Sequence, residues 1–79
     1  MEIENLCKMA NQIGSYYASE PNRDAALKSI ATHLRRFWDP RMRIQLLAYI
    51  EESGGHELTP ITLEAINANR AIVQPPIPV

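Results

Sequence analysis

Residues 33 to 43 read HLRRFWDPRMR and hold four of the chain's six arginines: Arg35, Arg36, Arg41 and Arg43. The same stretch carries the single Trp, Trp38, and the single Phe, Phe37, with one acid, Asp39, between the arginine pairs. A guanidinium fork binds carboxylate or phosphate through two parallel hydrogen bonds and stacks on aromatic faces. Such a cluster can grip nucleic acid, hold a small anion, tie its own fold together, or dock on another protein. The net charge of the chain is only -1. The whole molecule therefore lacks a strong field to draw it onto DNA or an anionic membrane, and any such role rests on this one patch.

Other chemistry-bearing residues are sparse. Cys7, His33 and His56 share no metal-ligand spacing. Cys7 reads as a small buried hydrophobe and His33 as a partly buried polar residue beside the core. No Ser or Cys sits in a nucleophile turn, and no Gly-rich loop is present to cradle phosphate. Glu51 and Glu52 are adjacent, so on a helix they point about 100 degrees apart and do not face each other. The residues point to no independent catalysis and to no metal or cofactor held by this chain.

Seventy-nine residues make one small domain. A chain of this length buries only about 60% of the surface its unfolded form exposes. Small domains usually need a staple, and a single cysteine allows no internal disulfide. Close helix packing, self-association or a larger partner must stabilise it instead. Leftover apolar surface makes a homodimer a reasonable state of the isolated chain. The N-terminus, MEIENLCKMA, does not read as a signal peptide. No stretch approaches the roughly 18 apolar residues a membrane span needs. The expected location is the cytoplasm.

The elements that position the cluster are helical. Ile3, Leu6, Ala10, Ile13 and Tyr17 recur at helical spacing, which predicts a first helix over roughly residues 2 to 18. Gly14 inside it marks a candidate close crossing of helices. Adjacent helical residues diverge, so Tyr16 and Tyr17 can divide between core and surface. Asn22 is a candidate cap for a second helix whose stripe is Ala26, Leu27, Ile30, Ala31, Leu34 and Phe37. Asp39 is a strong N-cap candidate and Pro40 fits the first helical position, so helix two stops and a third begins at once. Met42, Leu46, Leu47, Tyr49 and Ile50 share its apolar face, and Gly54-Gly55 supplies a left-handed C-cap. A fourth helix opens at Thr59-Pro60, with Leu58 and Leu63 spaced as a hydrophobic staple and Ile61, Ala65, Ala68 and Ile72 as a weaker stripe. The expectation is an all-α bundle of about four short helices with an Asp-Pro elbow between the second and third. Its helical domain covers residues 1–73, and a Pro-rich extended tail covers 74–79.

Within the elbow, Arg35 and Arg36 sit at a helix C-terminus, where the dipole favours cations. Arg41 and Arg43 sit in a first turn, where it does not, and helix three offers neither a carboxylate three or four residues on. They need partners from another helix, a bound anion or another protein. In the internal arrangement, Trp38 plugs the core and the arginines pair with Glu51, Glu52, Glu57 or Glu64. In the external one, the cluster is an interface, since Arg and Trp are both enriched at binding hot spots. A helix-turn-helix reading is the alternative, but helix three has no polar base-reading side chain beyond Gln45.

The combination of MANQIGSYYAS at 9–19, HLRRFWDPRMR at 33–43, and a late helix opened by LTP and containing EAI at 64–66 resembles the delta subunit of the soluble NAD-dependent formate dehydrogenases. The likeness spans roughly residues 5 to 70; the PPIPV tail lies outside it. It implies a small, cofactor-free accessory component of a multi-subunit oxidoreductase. Other subunits of that enzyme carry a molybdenum or tungsten pterin, iron–sulfur clusters and a flavin that reduces NAD. It implies as partners the other formate dehydrogenase subunits, the large catalytic one first, and a role in assembly, stability or maturation. The expected docking residues are Arg35, Arg36, Phe37, Trp38, Asp39, Arg41 and Arg43, with Trp38, Arg41 and Arg43 as the main contact and Arg35 and Arg36 at its rim. The alternative use of the elbow is anion binding, as in handling a pterin phosphate or formate.

Overall fold

The computed structural model describes residues 2–76, and within them the architecture is all-α. Helix α1 spans Ile3–Tyr17, α2 Arg23–Phe37, α3 Pro40–Ser53, α4 Pro60–Ala68 and α5 Arg70–Val73. The start and stop signals act as their chemistry dictates. The Asn22 side chain accepts from the Ala25 N–H at 3.0 Å, and Asp39 accepts from the Arg41 N–H at 2.8 Å. Gly54 and Gly55 adopt φ of 80° and 75°, the left-handed backbone that ends α3. Thr59 departs from the expected capping pattern: its hydroxyl makes no bond to the helix backbone and meets the Thr62 hydroxyl at 2.8 Å instead.

The expected fourth helix divides in two. Asn69 leaves helical geometry at φ -127° and ψ 40°, and its side-chain amide donates to the Ala65 carbonyl at 3.1 Å. A side-chain donor competing for a helix carbonyl offers the chain a way out of the helix. The remaining turn, α5, re-aims Ile72 and Val73 inward. Ala68, assigned to the apolar stripe by its spacing, is exposed as a consequence.

Helix α2 is the hub, packing against each of the other four helices. Its stripe of Ala26, Leu27, Ile30, Ala31 and Leu34 is buried as expected, while Phe37 is not. The main core joins Leu6, Cys7 and Ala10 of α1 to Leu34, Trp38, Leu46, Leu47, Ile50, Leu58, Ile66 and Val73. A smaller cluster of Leu27, Ile30 and Ala65 closes the α2–α4 side. Gly14 makes the close crossing its position indicated: a Cβ there would stand 2.1 Å from the Thr62 hydroxyl oxygen of α4. Gln74 leaves α5 extended and Pro75 is buried against the domain; Ile77, Pro78 and Val79 of the tail lie outside the described residues.

Candidate docking elbow

The elbow is built by two helices that nearly share an end. Phe37 closes α2, Trp38 turns extended with its N–H still bonded to the Leu34 carbonyl at 3.0 Å, and Asp39 caps α3. The Asp39 carbonyl accepts from the Met42 and Arg43 N–H groups at 3.0 and 3.2 Å, so its side chain and main chain together occupy the α3 N-terminus. A tight turn of this kind sends successive side chains in opposite directions. Trp38 is 6% exposed and part of the main core, whereas its neighbour Phe37 is 70% exposed.

The arginines divide in the same way. Arg43 is 6% exposed, and its Nη1 donates to the Val73 carbonyl at 2.9 Å. Arg35 donates to the neighbouring Ile72 carbonyl at 3.3 Å. The last turn of the fold is therefore held by two guanidinium groups on main-chain oxygens. None of the carboxylates considered for the arginines takes part. Glu64 pairs with Arg23, Glu51 pairs with Arg70, and Glu57 approaches His56. Trp38 and Arg43, expected as main contacts on a partner, are instead turned into this chain's own interior. Among the described residues, Arg36 and Arg41 are exposed and no acid pairs with either. The outward part of the elbow is thus Arg36, Phe37 and Arg41, with Asp39 exposed but committed as a cap and Arg35 half-committed to Ile72.

Phe37 continues into a strip of rings that crosses from α2 to α1. His33 lies 4.7 Å from Phe37, Tyr17 lies 6.2 Å from His33, and Tyr16 lies 4.9 Å from Tyr17, centroid to centroid. Tyr16 is 76% exposed. Two shallow grooves of about 370 and 330 Å³ flank the strip, and Tyr17 and His33 border both. His33 thus serves as a ring in this stack. No three of the His, Cys, Asp and Glu side chains come together as a metal site among the described residues.

Sequence reasoning overlooked Asn11. Its amide nitrogen donates to the Glu57 carbonyl at 3.0 Å and its amide oxygen accepts from the Thr59 N–H at 2.8 Å. One side chain on α1 thereby clamps the loop between α3 and α4, and Gly14, one turn on, receives Thr62. The MANQIG segment is a reader of that loop. A carboxamide midway along an amphipathic helix, close to its apolar stripe, was the available signal. The Tyr49 hydroxyl adds an acceptor for the Glu57 N–H at 2.7 Å. Cys7 lies beneath this junction. Burial pushes its thiol pKa up and the nearby Glu57 charge adds to the rise, partly offset by a hydrogen bond with Tyr49.

No helix among the described residues is long and apolar enough to cross a membrane. No curated protein and no solved structure matches the chain. Residues 5–66 match the model of the NADH-dependent formate dehydrogenase delta subunit family, FdsD. That span runs from the buried face of α1, through the ring strip and the elbow, to the α4 residues that close the core, and the chain belongs to this family.

Proposed function

We propose that the protein is a cofactor-free accessory subunit that docks on the other subunits of formate dehydrogenase, the large catalytic subunit first, and supports assembly or stability of the complex. The observation that carries this reading is the outward half of the elbow. A domain of 79 residues leaves Phe37 70% exposed between two arginines that, among the described residues, have no acid of their own. An aromatic ring beside unneutralised guanidinium groups is the composition of an interface hot spot. The donor set of the chain does not fit the iron–sulfur clusters of such an enzyme. An iron–sulfur cluster needs several thiolates, and this chain offers the single buried Cys7. On this reading electron transfer belongs to the partners, and this subunit contributes surface.

Deleting the chain from its host tests the reading. The expected outcome is a lower yield of intact, active formate dehydrogenase, restored by supplying the chain again. Unchanged yield, activity and thermal inactivation of the complex would contradict an accessory role.

A further inference from the structure

Resting on the docking reading, we propose that the ring strip across α1 and α2 is a binding groove for one segment of a partner subunit, carrying aliphatic anchors and at least two Asp or Glu residues. Tyr16, Tyr17, His33 and Phe37 form an unbroken series of ring contacts, open to solvent at both ends. Beside it, Met9, Ile13 and the edge of Trp38 floor one groove, and the stems and charges of Lys28 and Arg36 wall the other. Rigid rings flanked by open apolar clefts accept the aliphatic side chains of a segment laid across them, at low entropic cost to the receptor.

Charge selects the occupant. Among the described residues, the only Lys, Arg, Asp or Glu side chains lining the two grooves are Lys28 and Arg36, both exposed, and no acid pairs with either cation. Asp24, one turn before Lys28 on α2, lies outside both linings. Glu20 borders the strip only at its Tyr16–Tyr17 end, where its carboxylate faces the Asn22 N–H at 3.4 Å. A second copy laid two-fold on the strip would bring one Glu20 to two cations and leave the excess buried against itself. Nucleic acid would stack on the rings, but two groove cations on a chain of net charge -1 supply little of the phosphate term that such binding depends on. An acid-bearing protein segment neutralises both cations and covers the rings.

The test uses the whole complex. A photo-reactive benzophenone amino acid is placed at position 16, or at position 52 on the exposed end of α3 as a control, and the assembled enzyme is irradiated and mapped by mass spectrometry. The expected result is a cross-link from position 16 to one segment of another subunit containing aliphatic and acidic residues, and none to that segment from position 52. A label at 16 that blocks association while the label at 52 does not would also place the partner on the strip. A Lys28→Glu/Arg36→Glu variant with unchanged melting is expected to bind at least tenfold more weakly, by a rim-charge effect that shrinks with added salt. Assembly with cross-links from 52 alone, or with full affinity in the charge variant, overturns the groove and leaves docking standing. Cross-links from 16 to a second copy or to nucleic acid overturn the proposed occupant. If the unmodified chain fails to co-purify with the enzyme, docking itself fails and the groove proposal falls with it.

Discussion

Arg41 and Arg43 stand two residues apart in the first turn of α3, yet their roles are opposite. Arg43 is buried on the Val73 carbonyl, while Arg41 faces solvent and, among the described residues, pairs with no acid. Trp38 and Phe37 divide in the same way one turn of chain earlier. Residues two apart on a helix diverge by about 200 degrees, so a run of like residues at an elbow is two half-sets aimed at different targets. The inward set stabilises the fold and the outward set is left for a partner.

The largest test of that division is Trp38→Ala. Removing a core indole should cost about 3–5 kcal/mol, enough to unfold a domain of this size, whereas Phe37→Ala should change stability by less than about 1 kcal/mol. Urea titrations followed by circular dichroism separate the two, and equal losses would erase the comparison. Gly14→Ala comes next. The helix-propensity gain of about 1 kcal/mol is outweighed by the clash with Thr62, for a net loss of roughly 1–2 kcal/mol that Thr62→Ala should largely relieve. A stabilised Gly14→Ala protein would show that α1 and α4 do not cross there.

Among the arginines, Arg43→Ala should cost about 1–3 kcal/mol by stripping the Val73 carbonyl of its donor, while Arg41→Ala stays within about 0.5 kcal/mol. Thermal melts of the two variants side by side read the difference directly. The smallest effect belongs to Cys7. Its thiol pKa is raised in the fold, so the neutral thiol favours the native state, and that contribution is lost as pH rises through the ordinary thiol value of about 8.5 and on through the raised one. The urea midpoint should decline over this alkaline range, and a Cys7→Val variant should decline less. Identical pH profiles would remove the thiol from the account.

Much of the fold is legible in local chemistry. Asn22, Asp39-Pro40 and Gly54-Gly55 are terminus signals that depend on neighbours a few residues away, and they mark the helix ends in the structure. The partners of Arg43 and Asn11 are not legible, because Val73 and the 57–59 loop are 30 to 48 residues distant in the chain. An acid of another helix, a bound anion and another protein are the partners expected for Arg43, and its actual partner, the Val73 carbonyl, is none of these. A main-chain carbonyl serves a guanidinium, and every peptide unit has one, so no residue type announces it. The break at Asn69 was hidden for a similar reason: the apolar spacing continues through it, and only the side-chain bond to Ala65 shows where the helix stops.

The most direct test of the central claim is affinity purification from the native host of the tagged wild type beside an Arg36→Glu/Arg41→Glu variant, with the melting temperature of each isolated chain measured in parallel. The account predicts that the variant melts like wild type and brings down little or no formate dehydrogenase. A variant that melts normally and still retrieves the full complement of subunits would contradict it, and the outward arginines would then have no part in docking.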